Sequence, residues 1–594
     1  MRRLIIVIVL FFSSFSFAQS AQLAYSYFRK GDYEKASVLY KKLHEENPVR
    51  RDYFKRLLTC YQLTDKFDKS TALLADQKTF FPDQSYLNIE IGYNLQLQDK
   101  KTEAIPYYEK ALELLERQPN AGYLIGKTFQ DNHLLDYALR AYQRAMELNP
   151  NLNYDAYVAF IYGEKGEVEN MFGSYLNMID KNPSYFSTVQ RYAGRFLSDD
   201  ALDVNNAVFR RLVIKRLQRN PNDSWNKLLS WLYQQQNEYD KALIQEKAIY
   251  LRNSEDLERI IDLGDLAFGS RDYTTTKEAF QYVLEQSSDP VVRLEAQLYI
   301  LQATIETSDG QEAFDSIELM FQQLLENYGI NNSTLDVQLA YADFLTFKKD
   351  DPEQAISILK EAINKTNSDF EKAEVKLKLA DVLVYTNQFN QALINYTQVQ
   401  TQLKNSTLAQ EARFKVAQTS YFKGDFDWAS TQLKVLKGST SQLIANDAVD
   451  LFLLITENLG YDSIPRALKR YARADLLAYQ NKNKAAIDSL SDVLAKHEGE
   501  EIEDLALFKQ ATLYTKIRSY SKAEENYKRL IANEDGSILI DNSLFRLGEL
   551  YESKLENIEK AKEMYQKIIF EHPSSIYLVD ARKRFRKLRG DRLN

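Results

Sequence analysis

A short pattern of aromatic and small residues returns about every 34 residues along the chain. In Tyr27–Ala36 and again in Tyr514–Ala523, one aromatic residue precedes a second by six positions, and an alanine follows three positions later. Self-similarity of this fixed length is typical of stacked repeat proteins. Each unit of such a protein buries its apolar face against its neighbours. The sequence therefore predicts an extended array of short units.

The units are predicted to be helical, because the chain contains few of the residues that tight turns require. Only 19 glycines and 11 prolines occur among 594 residues. Many-stranded β folds need both residue types at their turns. Aromatic residues make up 12% of the chain, which argues against intrinsic disorder. The composition thus favours a folded array of helices joined by short turns.

Charge and cysteine content exclude several classes of function. The net charge is −8, whereas proteins that bind nucleic acids are normally basic, so no nucleic-acid partner is expected. Cys60 is the only cysteine, which excludes an intramolecular disulfide framework and any metal site built from several cysteines. Cys60 falls where a unit should bury a small residue, and a packed thiol is the favoured interpretation.

The first residues have the pattern of a secretory signal peptide. Arg2 and Arg3 precede the apolar run Leu4–Phe12, and the small residues of Ser16–Ala18 predict cleavage after Ala18. The apolar run of nine residues is too short to span a bilayer comfortably. We therefore assign residues 1–18 to a cleaved signal peptide.

The residue after the predicted cleavage point bears on localisation. A lipoprotein would have a cysteine there, and this chain has Gln19. No later segment is long and apolar enough for a transmembrane helix. The sequence predicts an exported, soluble periplasmic protein without an integral membrane segment after cleavage, and leaves association with the outer membrane open.

Small and large residues alternate at helical spacing within each unit. The first helix carries a small residue and then a large one three positions later, and the second carries alanine and then an aromatic or leucine four positions later. Small side chains let two helices approach closely, and aromatic side chains fill the space between units. The predicted packing residues are Ala24, Tyr27, Ala36, Tyr40, Gly92, Ala104, Gly126, Ala138, Ala380, Ala392, Ala511, Ala523, Gly548 and Ala561.

This arrangement resembles the tetratricopeptide repeat, and the resemblance covers nearly the whole chain after residue 18. It implies an all-α superhelical solenoid of stacked antiparallel helix pairs, with about fourteen repeats. The chain looks like exported bacterial members of this family from Bacteroidota. Family members usually bind proteins or peptides on a concave surface, and some clamp peptide carboxylates with Lys, Arg and Asn. No such clamp aligns with this sequence, so no ligand-binding residues are carried over.

Three stretches, 184–221, 291–335 and 437–465, depart from the repeat pattern. We predict an N-terminal solenoid at 19–437, an irregular segment at 438–465, a C-terminal solenoid at 466–573 and a basic capping helix at 574–594. The segment 438–465 is open to two interpretations, a joint between two solenoids or a degenerate repeat in a continuous stack.

The C-terminal helix is strongly basic and includes Arg584 and Arg586. One interpretation is a solvated cap whose positive charges suit the C-terminal end of a helix. The other is a docking patch for an acidic partner, or for peripheral association with an anionic membrane surface. Arg584 and Arg586 are therefore candidate partner-binding residues.

The sequence offers no constellation for catalysis. The four histidines are far apart, and none forms a two-histidine ligand motif such as H-E-x-x-H. A phosphate-binding glycine loop and a nucleophile motif of the G-x-S-x-G type are also missing. We expect no enzymatic activity, no cofactor, no metal site and no catalytic residue.

Trp231 is a third candidate for partner binding. It lies six residues after Trp225, so the two indoles point in different directions from one helix and one of them should be core. Trp231 falls on the side that family members turn toward their groove, where tryptophan often forms hot spots. The other interpretation buries both indoles between repeats.

These observations predict a non-catalytic scaffold or adaptor that binds other proteins or peptides of the bacterial cell envelope. The alternative is an envelope protein that binds peptidoglycan or another carbohydrate through its many tyrosines.

Overall fold

The computed structural model describes residues 20–81, 84–254, 256–436, 438, 442–459, 465–532 and 537–590. The protein is 81% helical, with 32 α-helices and no strand among these residues, which confirms the predicted all-α class. The predicted signal peptide at 1–18 lies outside the described residues. Within the described ranges, no helix combines the length and apolar character needed to cross a membrane.

The chain forms two compact units, and each is described by itself. Unit 1 comprises Met1–Leu197 with Ala207–Trp225, and unit 2 comprises Ser198–Asn206 with Asn226–Asn594. The first thirteen helices, the last two of which contain residues of both units, are α1 (20–29), α2 (Tyr33–Glu46), α3 (Arg51–Leu63), α4 (Phe67–Phe80), α5 (Ser85–Gln96), α6 (Lys101–Glu113), α7 (Gly122–Asp131), α8 (Leu135–Leu148), α9 (Asp155–Glu164), α10 (Val168–Lys181), α11 (Phe186–Ala193), α12 (Val204–Arg219) and α13 (Asp223–Gln235).

The remaining helices belong to unit 2. They are α14 (Tyr239–Arg252), α15 (Glu258–Gly269), α16 (Tyr273–Gln286), α17 (Pro290–Thr307), α18 (Gln311–Tyr328), α19 (Leu335–Phe347), α20 (Pro352–Lys365), α21 (Asp369–Tyr385), α22 (Phe389–Gln402), α23 (Thr407–Lys423), α24 (Phe426–Leu436), α25 (Gln442–Asn458), α26 (Arg466–Tyr479), α27 (Asn483–Lys496), α28 (Ile502–Lys516), α29 (Tyr520–Ile531), α30 (Ile540–Ser553), α31 (Ile558–Glu571) and α32 (Leu578–Arg589). Short 3-10 turns lie at Leu114–Glu116, Pro119–Ala121, Pro183–Tyr185 and Asn332–Thr334.

Consecutive helices pack as pairs, and we call the members of a pair its first and second helix. In unit 2 the first helices also contact one another in series, from α15 through α17, α19, α21 and α23 to α26 and α28. The stack thus has one face built of first helices and another built of second helices, as expected for repeats that bury their apolar faces on their neighbours.

Helix α25 lies beside this series. It packs mainly on α24 and also contacts the first helices α23 and α26, which remain in contact with each other. One core cluster contains Leu433, Ile455 and Leu468, which lie before, within and after the irregular segment. A division of the solenoid at 438–465 stays a prediction.

The two other irregular stretches have local explanations. In 184–221 the first helix α11 has only 8 residues, and buried Asn206 organises the following loop by donating to the carbonyl oxygens of Ser198 and Asp200 at 2.9 and 2.7 Å. In 291–335 both α17 and α18 extend to 18 residues, so the repeat is longer without an insertion between its helices.

Glycines on the first helices accommodate tyrosine rings from the second helices. A Cβ atom added to Gly92 would lie 2.4 Å from the Tyr108 ring, and one on Gly126 would lie 2.5 Å from the Tyr142 ring. Gly264 has the same relation to a phenylalanine, which the sequence pattern missed. Each glycine therefore makes a notch that a larger residue would fill.

The other residues of the repeat pattern are fully or partly buried. Tyr40 is buried and Tyr27 is half-buried, and the notch at Gly548 receives the ring of Tyr565. The fully buried alanines are Ala24, Ala36, Ala104, Ala138, Ala380, Ala392, Ala511, Ala523 and Ala561.

The tyrosine hydroxyls in these notches donate hydrogen bonds to side chains at the C-terminal ends of the first helices. Tyr108 donates to Gln96 at 3.1 Å, and Tyr142 donates to Gln130 at 3.4 Å. In both pairs the acceptor follows the notch glycine by four residues, so the ring crosses one helical turn. Tyrosine can therefore fill the notch without leaving a buried hydroxyl unpaired.

Two reactive side chains of unit 1 are shielded from solvent, one fully and one partly. Cys60 is fully buried, and burial raises the pKa of its thiol to about 12. The ring of His44 packs 5.9 Å from that of Phe54, and its buried Nδ1 has no hydrogen-bond partner. Burial lowers the pKa of His44 below its ordinary value of 6.5, so the neutral form is favoured in the folded protein.

His44 should make unit 1 sensitive to mild acid. Because its pKa is lower in the folded than in the unfolded chain, stability should decline as the pH falls from about 6.5 through the folded-state pKa. The substitution His44→Leu removes the titrating group. We expect a smaller drop in thermal midpoint between pH 7.5 and pH 5.5 for this variant than for the wild type, and equal drops would contradict the assignment.

Candidate partner-binding surface

A series of ion pairs connects successive first helices of unit 2. In each pair a carboxylate on one first helix meets a lysine on the next. The pairs of this charge ladder are Asp343–Lys378 at 2.7 Å, Asp381–Lys415 at 3.2 Å and Asp475–Lys509 at 2.9 Å. A fourth pair, Glu306–Lys348 at 3.3 Å, joins α17 to the C-terminal end of α19.

Buried tyrosines hold two of the ladder carboxylates in place. Tyr396 donates to Asp381, and Tyr421 donates to Asp475 at 2.8 Å. Burial and the nearby carboxylates raise the pKa of both phenols well above their ordinary value, so both remain donors. The carboxylates are thus fixed in orientation between a buried donor and a lysine.

The pair between Asp343 and Lys378 is the most strongly perturbed. Burial raises the pKa of Asp343, although the ammonium group of Lys378 acts in the opposite direction. Burial is the largest single influence on Lys378 and would lower its pKa, but the hydrogen bond and charge of Asp343, together with the charges of Asp381 and Glu411, raise it. The lysine therefore stays charged, and the pair lies in a partly desolvated environment.

A cavity of about 480 Å³ opens among these first helices. Its apolar wall includes Phe268, Ile305, Phe344, Phe347 and Tyr479, from α15, α17, α19 and α26. The ladder pairs Asp343–Lys378 and Asp381–Lys415 line the same cavity, and so does the pair Glu306–Lys348. An apolar pocket beside a few fixed polar groups is the usual composition of a ligand site.

The C-terminal end of α26 closes one side of this cavity. Gln480 donates to the carbonyl oxygen of Tyr385 at 2.8 Å, and Asn481 donates to that of Phe347 at 2.8 Å. These bonds join α26 to the ends of α21 and α19, which lie earlier in the series of first helices. These two hydrogen bonds thus fix the position of the cavity wall that α26 contributes.

The two tryptophans of α13 have different environments. Trp225 is 1% exposed, whereas Trp231 is half-buried and has interactions of its own. One indole is therefore core, and the other has part of its surface at the exterior of unit 2. Contact of Trp231 with a partner stays a prediction.

Arg584 contributes to the packing of the C-terminal helix. Its guanidinium donates to Glu549 at 3.0 Å and to Glu552 at 2.8 Å, and it lies 5.6 Å from the ring centre of Phe545. These contacts attach α32 to α30. Arg586 is half-buried on the same helix and also has a partner. Docking through Arg584 and Arg586 stays a prediction.

The charge ladder and its cavity were not predicted from the sequence. A signal was present, since Asp343 and Lys378 lie 35 residues apart and Asp381 and Lys415 lie 34 apart, close to the repeat length. Charged residues are common on solvated helix faces, however, so this spacing alone does not identify ion pairs. The described residues contain no group of three or more potential metal ligands.

Comparisons with known proteins support the repeat assignment. One model of the tetratricopeptide repeat matches residues 22–48 and 542–575, and a second model of this repeat matches residues 86–114. Yeast Tom70 is 15% identical over 96% of this chain and 99% of its own, with a TM-score of 0.29. A tetratricopeptide repeat protein from Parabacteroides merdae is 15% identical over 43% of this chain and 95% of its own, with a TM-score of 0.24. The family-model matches thus identify tetratricopeptide repeats in the chain, an architecture that generally serves as a scaffold for protein interactions.

Proposed function

We propose that the protein is a non-catalytic scaffold of the bacterial cell envelope, and that it binds a segment of a partner protein on the first-helix face of unit 2. The observation that carries this proposal is the 480 Å³ cavity, which is lined by six first helices and bordered by the ion pairs of the charge ladder. The stacking of the units brings residues as distant in sequence as Phe268 and Tyr479 into one site.

The cavity lining indicates the chemistry of the partner segment. Its aromatic and aliphatic wall suits a bulky apolar side chain, whose burial would provide most of the affinity. Each acid beside it is matched by a lysine, so the site favours neither sign of charge. A partner segment with one large apolar residue and uncharged neighbours fits best.

The envelope location rests on the N-terminal pattern of two arginines, an apolar run and small residues up to Ala18. N-terminal sequencing of the protein purified from its host tests this part separately. A mature chain that begins at Gln19 supports export, and an intact N-terminus contradicts it. The proposal does not include peripheral association with a membrane through α32.

Site-specific photocrosslinking in the native host tests the binding surface. A photoreactive phenylalanine analogue replaces Phe347 on the cavity wall, and in a matched variant it replaces Ile394, which is 57% exposed on the second helix α22. We expect a discrete adduct with one protein from position 347 and none from position 394.

A blocking variant checks that the adduct forms through the cavity. Ala340 is half-buried and lines the cavity, so Ala340→Trp should occupy its volume and abolish the adduct at position 347. The same set of adducts from both positions, or an adduct that persists after blocking, would overturn the proposed site.

A further inference from the structure

Unit 1 contains a second and larger cavity of different character. Its volume is about 800 Å³, within the range of about 300–1,000 Å³ that is usual for small-molecule sites. Residues of α8, α9, α10 and α12 line it. The cavity lies in a part of the chain that the proposed protein-binding surface does not use.

One arginine organises the wall of this cavity. Arg216 of α12 donates to three acceptors on α10: the carbonyl oxygen of Gly173 at 3.0 Å, Oδ1 of Asn177 at 2.7 Å and Oδ2 of Asp180 at 3.0 Å. Its guanidinium also lies 6.0 Å from the ring centre of Trp225. Because Oδ1 of Asn177 faces the guanidinium, the amide N–H groups of Asn177 remain available as donors on the cavity side.

Other groups of the wall also have unused hydrogen-bonding capacity. Gln143 donates through Nε2 to the hydroxyl of Tyr162 at 3.0 Å, which leaves its Oε1 as an acceptor and the Tyr162 hydroxyl as a donor. Asn170 donates through Nδ2 to Glu167 at 2.8 Å, which leaves its Oδ1 as an acceptor. The wall thus offers fixed donors and acceptors in similar number.

The charges of the lining cancel. The lining contains three acidic and three basic side chains, which are Asp155, Glu169, Asp180, Lys215, Arg216 and Arg219. Asp155 is only 4% exposed and is paired with Lys181 at 2.6 Å, so its charge is already satisfied within unit 1. This balance disfavours phosphate-rich or strongly cationic ligands.

Apolar lining residues are few. Met146, Val158 and Leu212, together with the ring of Tyr162, provide limited apolar surface among many amides and charged groups. A bulky hydrophobic ligand would therefore leave polar groups of the wall without partners, at a cost in affinity. The lining fits a neutral ligand whose groups both donate and accept hydrogen bonds.

We propose that this cavity binds a neutral oligosaccharide. Sugar hydroxyls donate and accept at the same time, and adjacent hydroxyls match the planar amide, carboxylate and guanidinium groups of the wall. The Tyr162 ring and the three aliphatic side chains would contact the apolar faces of the sugar rings. This site is independent of the protein-binding surface in unit 2.

Gly173 offers a matched pair of test variants. It lies on the wall of the cavity within α10, and a Cβ atom added there meets no atom within 4 Å. The substitution Gly173→Phe fills the cavity, whereas Gly173→Ala adds only a methyl group to the same position. Arg216 contacts the carbonyl oxygen of Gly173, which both variants keep.

Isothermal titration calorimetry of the full chain with cellotetraose, maltotetraose and chitotetraose tests the proposal. We expect at least one probe to bind the wild type. Its Kd should weaken about tenfold or more in Gly173→Phe, because the phenyl ring displaces the sugar and the wall groups lose their hydrogen-bond partners. Its Kd should be unchanged in Gly173→Ala. Thermal melts establish that both variants are folded.

Three outcomes would overturn the proposal. The first is that none of the three sugars binds the wild type. The second is that a sugar binds the wild type and Gly173→Phe equally well. The third is that inorganic phosphate, or an uncharged peptide of similar length, binds the cavity more tightly than all three sugars.

Discussion

Gly126→Ala should lower the thermal midpoint of unit 1, whereas Gly173→Ala should raise it. Both glycines lie within helices, where alanine is intrinsically more favourable by about 1 kcal/mol. At Gly126, however, the new methyl group would lie 2.5 Å from the Tyr142 ring, and overpacking of this kind costs about 1–3 kcal/mol. At Gly173 the methyl group enters open space.

Comparing Gly126→Ala with Gly173→Ala separates the cost of overpacking at the notch from the gain in helix propensity, because the chemical change is the same at both sites. Urea and thermal unfolding followed by circular dichroism provide the measurement, and amide exchange in α7 and α8 localises the effect. A midpoint for Gly126→Ala equal to or above that of the wild type would show that Tyr142 does not depend on the notch.

Lys415→Met should strongly destabilise unit 2. Asp381 is 7% exposed, and removal of Lys415 leaves a buried carboxylate without its ion-pair partner. Loss of one partner from a buried pair typically costs about 3–5 kcal/mol, and the partial exposure of Lys415 places the expected loss near the lower value.

A compensated variant separates charge burial from loss of packing. The triple substitution Asp381→Leu, Lys415→Met and Tyr396→Phe removes the carboxylate, the ammonium group and the hydroxyl that donates to the carboxylate. We expect most of the stability to return, since apolar replacement of a whole buried pair is often neutral or favourable. A triple variant as unstable as Lys415→Met, measured by urea unfolding at neutral pH, would contradict this account.

The sequence predicts the helix packing well because packing depends on residue size at fixed spacing. Spacing alone identifies Gly92, Gly126 and Gly548 as small positions, and the structure explains each of them by a tyrosine ring that lies within 3 Å of where a methyl group would stand. Gly264 was missed because Ala267 stands three positions later, where the pattern has a large residue, and Thr276 stands four positions before Phe280, where the pattern has alanine. Helix class and pairing therefore follow from local sequence.

The candidate sites were less predictable, because they depend on the cumulative rotation of many units. Gln480 and Asn481 contact residues about a hundred positions away, a relation that no local pattern encodes. The cavity wall also combines aromatic residues that resemble ordinary packing positions in the sequence. Trp231 was chosen by residue type and repeat register, and Arg584 and Arg586 by the charge of their helix. None of them lines the cavity of unit 1 or that of unit 2.

The position of α25 has a practical consequence for engineering this chain. Because α25 packs mainly on the second helix α24 while α23 and α26 keep their contact, the helix itself is an addition that does not interrupt the series of first helices. A fluorescent reporter or affinity module inserted beside α25 should leave the charge ladder and its cavity in register. The protein could then be tracked or captured in its host from an internal position, with both termini left unmodified.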